Sequence, residues 1–114
     1  MTLARYLALL GPCEDAPERL RRIGDRLAHE GHRVHIHHER DFTLLVLGDP
    51  PMEIDASLIV GPLFDRRHPG PVDTLAPEDQ AKIRASRGQH LIERFWGGYV
   101  AFLRTKEGID LLRA

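Results

Sequence analysis

The sequence predicts an α+β domain of mostly antiparallel sheets with flanking helices. Three observations predict it. Short apolar runs recur along the chain and are closed by Gly or Pro. Two or three stretches carry helix start and stop signals instead. At two places, paired apolar runs are separated by only a few polar residues, the pattern of a hairpin. The chain of 114 residues suits one domain and is too short for two.

Arg5–Leu10 is a short apolar run ended by Gly11-Pro12, which suits a buried strand. Ala16–Glu30 reads as a helix. Glu14 and Asp15 stand at its start, Pro17 suits its first turn, and Gly31 suits its end. Leu20, Ile23 and Leu27 share one face, and the run of arginines from Arg19 to Arg26 is read as a solvated face. Arg33–His38 and Phe42–Gly48 form a hairpin around Glu39-Arg40-Asp41. Leu44 to Leu47 is continuously apolar, so that strand is expected to be covered on both faces. Asp49-Pro50-Pro51 breaks the structure.

Ala56–Phe64 is a further strand, with Gly61-Pro62 marking an edge, a bulge or an end. Asp65–Pro77 reads as a surface loop, and Pro77–Ala85 as a short helix with Glu78 and Asp79 near its N-terminus. Gly88 interrupts, and Gln89–Phe95 adds helical turns. Tyr99–Thr105 and Ile109–Arg113 are paired strands around Glu107-Gly108. The last strand runs straight into Ala114, as expected of a domain incomplete at its C-terminal end.

Composition narrows the function classes. Sixteen basic residues oppose seventeen acidic ones, which gives no electrostatic case for nucleic acid. No apolar run approaches the ~18 residues of a membrane span, and the first residues lack a signal peptide's apolar region. A cytoplasmic protein is expected. The single cysteine, Cys13, excludes an internal disulfide, and its acidic neighbours disfavour a reactive thiolate.

Several clusters could carry chemistry. His35, His37 and Glu39 share one face of their strand and have the donor types of a zinc or nickel site. The favoured reading is simpler: these residues form the polar outer face of a half-buried strand, with a pH-sensitive histidine patch an alternative on a par with the metal site. Thr2, if Met1 is removed, would pair an α-amine with a hydroxyl, a base and a nucleophile in one residue. Phe95-Trp96-Gly97-Gly98-Tyr99 could stack rings, but reads better as a helix-to-strand corner with its aromatics in the core. Asp65-Arg66-Arg67 is either an anion clamp or a salt-bridged loop start.

Two segments together resemble a known family. They are Leu58-Ile59-Val60-Gly61-Pro62-Leu63-Phe64-Asp65-Arg66, and Leu91-Ile92-Glu93-Arg94-Phe95-Trp96-Gly97-Gly98-Tyr99-Val100-Ala101-Phe102 continued by Leu111-Leu112-Arg113-Ala114. The pairing resembles the N-terminal, glutaminase-like (class II glutamine amidotransferase) domain of asparagine-synthetase-related proteins, closest to the lasso-peptide cyclases. The resemblance covers Ala56 to Ala114; the N-terminal half agrees only in its order of elements. It implies part of an N-terminal-nucleophile (Ntn) hydrolase-like αββα sandwich, over residues 1–114. It also implies a parent protein whose synthetase domain uses ATP and Mg to adenylate a carboxylate for attack by an amine. No cofactor is expected in this domain itself.

The departures from the family are as informative. Active members expose a cysteine after the initiator Met, where this chain has Thr2. They carry Asn-Gly, with the Asn in the oxyanion hole, where this chain has Val60-Gly61. The family's Arg-Gly-Pro-Asp motif has no counterpart. The expectation is therefore a non-catalytic, glutaminase-derived domain of an amide-forming ligase in lasso-peptide macrolactam formation, with a scaffolding or substrate-holding role. Its expected partners are the synthetase domain or a separate synthetase chain, a precursor peptide, and a second copy by edge pairing or swapping. Asp65, Arg66, Trp96 and Tyr99 are the expected contact residues. The alternative is a stand-alone peptide- or metal-binding module using the His-bearing strand.

Overall fold

The computed structural model describes residues 5–11 and 14–113. Thr2 and Cys13 lie outside the described residues. The chain divides into two compact units, Arg5–Pro51 and a second from Met52 onward. Every strand pairing is antiparallel among the described residues, so the fold is α+β with mostly antiparallel, open sheets.

The first unit runs β1 (Arg5–Leu10), α1 (Ala16–His29), β2 (Val34–Glu39) and β3 (Phe42–Leu47), with sheet order β1-β3-β2. Asp15 is the N-cap residue of α1, and its carbonyl accepts the Arg19 N–H at 2.9 Å. At the other end, Gly31 N–H donates to the Ala28 carbonyl at 3.0 Å and His32 N–H to the Leu27 carbonyl at 3.0 Å. These two bonds are the Schellman closure, which satisfies carbonyls the helix would otherwise leave open.

The buried stripe of α1 is Ala16, Leu20 and Gly24 rather than one through Ile23, which stays 40% exposed. The cause is the close approach at Gly24. A Cβ there would lie 3.1 Å from Val34 Cγ1 and 3.3 Å from Ile36 Cδ1. A small residue lets the helix settle on the sheet at that point and rotates its apolar face toward it. As the sequence implies, β3 is covered on both faces: Phe42, Leu44, Leu45 and Val46 are all buried.

The second unit runs β4 (Met52–Ile54), β5 (Ser57–Val60), β6 (Phe64–Asp65), α2 (Pro77–Ala85), α3 (Gln89–Arg94), β7 (Phe95–Trp96), β8 (Val100–Thr105) and β9 (Gly108–Arg113). A four-stranded sheet has the order β4-β5-β8-β9, and β6 pairs with β7 as a small ribbon. The core joins Ile54, Ile59 and Leu103 of the sheet to Ile83, Leu91 and Phe95 of the helical segment. Leu58, Val60, Val100 and Phe102, on the opposite face of the central strands, are also buried.

Five local expectations are corrected. β4 is an additional strand, hairpinned to β5 through Asp55-Ala56, with Asp55 at φ 54°. Residues 56–64 are not one strand. Gly61 and Pro62 end β5, and the chain resumes pairing only at Phe64. Phe95 leaves the helix and pairs in β7, and the turn between β8 and β9 is Lys106-Glu107, flanked by the Thr105–Gly108 pair. The 65–77 segment is also less loop-like than its composition suggests. Val72 N–H donates to the Leu63 carbonyl at 2.8 Å, and Leu75 is buried.

Gly97 fixes where β7 turns into β8. Its φ is 133°, and a Cβ there would lie 2.3 Å from the Pro62 carbonyl oxygen. The adjacent Gly98 would meet only Pro62 Cγ, at 3.9 Å. Gly97→Ala is therefore expected to cost about 3 kcal/mol or more in urea denaturation, and Gly98→Ala less than about 1 kcal/mol. Equal losses at the two positions would remove the close approach as the constraint.

Candidate functional site

The residues anticipated as contacts converge on the β6–β7 ribbon. Phe64 pairs with Trp96 and Asp65 with Phe95, and Arg66 N–H donates to the Arg94 carbonyl at 2.9 Å. Tyr99 follows on the same corner and donates its hydroxyl to the Leu91 carbonyl at 3.2 Å. Asp65, Arg66, Trp96 and Tyr99 are thus neighbours in space, but they divide into two kinds. Asp65 and Tyr99 point inward, whereas Arg66 is exposed and Trp96 is 44% exposed. The core expectation holds for Phe95 and Tyr99 and fails for Trp96. The indole stacks on Phe64 at 4.6 Å between ring centroids, with 23° between the planes.

Beneath the ribbon is a charged network that sequence reasoning missed. Arg94 Nη2 donates to Asp65 Oδ2 at 3.2 Å, and its Nη1 lies 3.4 Å from Asp79 Oδ1. His90 Nε2 donates to the same Asp79 oxygen at 2.9 Å. Arg94 also lies 5.8 Å from the centre of the Phe95 ring, and its buried Nε has no hydrogen-bond partner among the described residues. Asp65 Oδ1 accepts the Arg67 backbone N–H at 2.9 Å, turning the chain out of β6. A cue was present in the sequence. Asp79 lies four positions before Ile83, on the face that α2 buries, and a carboxylate on an apolar face needs a partner.

These carboxylates are engaged by N–H donors, so the cluster is a charged clamp. It anchors the ribbon to α2 and α3 and holds the Phe64–Trp96 stack and Arg66 outward.

The other candidates are placed as follows. The faces of β2 alternate as expected, but His35, His37 and Glu39 are half-buried while Ile36 and His38 are exposed. The expected polar outer face is therefore the more covered one. Its strand partners are Val46, Leu44 and Phe42 of the doubly buried β3. His35 Nε2 donates to the Gly48 carbonyl at 3.0 Å, and His37 Nε2 lies 3.8 Å from Glu39 Oε2. Among the described residues no three His, Cys, Asp or Glu side chains gather as a metal site would require. Val60 is buried at the end of β5, where it offers an apolar side chain and no donor.

No protein-family model, curated protein or solved structure matches the chain. Among the described residues no helix is long and apolar enough to cross a membrane.

Removing the clamp's cation tests its weight. Arg94→Met leaves Asp65 and Asp79 buried without their cation and is expected to cost about 3 kcal/mol or more. Arg66→Ala, on the exposed side, is expected to cost under about 0.5 kcal/mol. Urea denaturation of both variants decides it, and a small loss for Arg94→Met would reduce the network to a surface feature.

Tyr99 supplies a pH test. Burial holds its hydroxyl above the ordinary value of 10.0, with Arg66 opposing the shift. The unfolded chain therefore ionises Tyr99 first. The stabilisation is fully present below pH 10.0 and is lost as pH rises above it toward the folded-state value. Tyr99→Phe is expected to flatten this alkaline loss while costing about 1 kcal/mol at neutral pH for the missing hydrogen bond. Denaturation midpoints at neutral and alkaline pH measure both effects.

Proposed function

We propose that this chain is a non-catalytic, glutaminase-derived domain of an ATP-dependent amide-forming ligase of the asparagine-synthetase type, acting in lasso-peptide macrolactam formation. Its role is to brace the synthetase domain, on the same or a separate chain, and to hold the precursor peptide. The observation that carries the reading is the pairing of the two resembling segments. Leu58, Ile59 and Val60 lie opposite Phe102, Ala101 and Val100, and β8 continues into β9. Segments distant in sequence and recognised separately are adjacent strands, as one glutaminase-like sheet requires.

The Ntn-type sandwich is part of this proposal. It is supported by sheets whose central strands are buried on both faces, with apolar residues of β3, β5 and β8 on each side. The inactive character is supported by Val60. At the position where the family's Asn would stabilise an oxyanion, this chain buries a side chain without a donor. The exposed Arg66 and Trp96 are proposed as the contact with the synthetase partner. ATP and Mg belong to that partner, where they activate a carboxylate for an amine supplied by the peptide. A cytoplasmic location and edge pairing between copies through β9, an edge strand with Leu111 half-exposed, belong to the same reading.

The test follows glutamate release and peptide mass in parallel. The chain with glutamine is expected to release no glutamate. A longer protein containing this segment, given ATP, Mg and its precursor peptide, is expected to remove one water from the peptide. Trp96→Ala in that protein is expected to lower the rate about tenfold by weakening the contact. Glutamate release by the chain alone would overturn the non-catalytic reading and direct attention to Thr2. An unchanged peptide mass with the longer protein would overturn the ligase assignment.

A further inference from the structure

In the first unit a single helix lies over three strands. β1 and β2 are both antiparallel to β3, which stands between them, and α1 crosses from one to the other over one face. The register identifies that face. A Cβ at Gly24 would lie 3.5 Å from Leu45 Cδ1, and Leu45 pairs with Leu7 on one side and Ile36 on the other. Alternation places Arg5 and Leu9 of β1 on the same face as Leu7.

One helix cannot cover this face. A helix with its side chains is about 10 Å across and strands stand about 4.8 Å apart, so α1 spans about two of the three. Gly24 faces Val34 and Ile36 of β2 and Leu45 of β3. β1 is left on the open side. There Leu7 is 40% exposed, although its partner Leu45 is 2% exposed. Ile23 belongs to the same margin. Gly24 lies about 40° to one side of Leu20 around the helix, and Ile23 about 60° to the other. Since Gly24 is the β2 side, Ile23 is on the β1 side, and it too is 40% exposed.

Cations flank this apolar strip. Arg19 and Arg26 bracket Ile23 one turn before and one turn after, and Arg5 stands two residues before Leu7. All three are exposed, and none of their side chains has an ion pair or hydrogen bond among the described residues. Arg22, on the far side of α1, is instead paired with Glu18 at 2.9 Å. The carboxylates on the Ile23 flank are Asp15 and Glu30, the two cap residues, so they stand at the ends of α1. The middle of the strip carries positive charge alone.

We propose that Leu7 and Leu9 of β1, with Ile23 of α1, receive an acidic amphipathic helix of a partner protein, laid beside α1 and over β1. Its apolar stripe covers these three side chains, and carboxylates on its margins meet Arg5, Arg19 and Arg26. The six residues of β1 span about 20 Å, the length of a helix of about 14 residues. A second copy of the strip is a poor occupant, because it would set arginines against arginines. The inference does not depend on the function proposed above, whose partner contact is on the β6–β7 ribbon of the second unit.

The probe is an acetylated and amidated peptide of about 14 residues, with leucines at helical spacing flanked by glutamates. One control replaces every glutamate with lysine, and another replaces every leucine with glutamine. Titration calorimetry measures affinity, and methyl NMR locates binding. The glutamate peptide is expected to bind saturably and to shift the Leu7, Leu9 and Ile23 methyls. The lysine peptide is expected to bind about tenfold more weakly, and the glutamine peptide not measurably. Ile23→Gln is expected to weaken the glutamate peptide about threefold. Arg19→Glu combined with Arg26→Glu changes two exposed positions, so the helical circular dichroism is expected to be kept and the preference reversed in favour of the lysine peptide. No saturable binding of the glutamate peptide, shifts confined to other residues, or a preference that the folded double variant leaves unreversed would overturn the inference. Binding to phosphatidylglycerol vesicles without binding to the peptide would overturn it too, and would give the strip to a membrane surface.

Discussion

Arg94 is a cation held away from solvent, and its neighbours are arranged around that fact. A guanidinium buried alone would cost several kcal/mol, so the chain supplies Asp65 from β6 and Asp79 from α2. His90, one helical turn before Arg94, donates to the Asp79 oxygen that Arg94 also meets. The network thereby ties a two-residue strand, a nine-residue helix and a six-residue helix into one body. None of these elements is long enough to be stable by itself. Their hydrophobic contacts through Ile83, Leu91 and Phe95 supply the attraction, while the charges fix which faces meet.

The close approach of Gly97 to Pro62 is the backbone counterpart of that clamp. The network sets the ribbon against the helices, and the contact with Pro62 sets the entry to β8. Together they decide which aromatics turn inward. Phe95 and Tyr99 fall in the core, and Trp96 between them is left on the outside against Phe64. Alternation along a strand makes this unavoidable once Phe95 is fixed in β7. The first unit uses a related device, since Gly24 decides how close α1 comes to its sheet and therefore which of its residues are buried.

Much of the fold was legible because its signals are local. Gly31 at the end of α1, the polar turn before Phe42 and the continuous apolar run of β3 each act within a few residues, and each appears where the pattern places it. What the sequence hid depends on contacts between distant segments. β4 is three residues long and its turn, Asp55-Ala56, lacks the Asn-Gly signature of a tight hairpin. Ile23 looked inward because spacing alone cannot register that a glycine beside it permits a closer approach. The candidate contacts Asp65, Arg66, Trp96 and Tyr99 were found as two short clusters. That they meet, and that Asp79, His90 and Arg94 support them, follows from the β6–β7 pairing. The cleft between the Asp55-Ala56 turn, the Lys106-Glu107 turn and α2 was invisible for the same reason, because its walls are far apart in the sequence.

The two ends of the second sheet also differ in the chemistry they can support. At the Gly61 end the backbone is exposed by glycine, but the buried residue beside it is Val60, which donates nothing to a developing negative charge. At the opposite end, the Arg84–Asp55 and Arg87–Asp110 ion pairs flank Ile54, Ile83 and Leu103, and Asp55 and Arg87 have left-handed backbone. Strain of this kind persists only when surrounding contacts over-determine it. Here those contacts are the Ile54–Ser57 pairing that closes the Asp55-Ala56 turn, and the bonds from Arg87 N–H to the Arg84 carbonyl and from Gly88 N–H to the Ile83 carbonyl that end α2. The two ends therefore present different surfaces, an apolar one at Val60 and an ion-paired one at Arg84 and Arg87. On the reading proposed above, that is what remains when a glutaminase-like sheet is kept for its surfaces and not for its nucleophile.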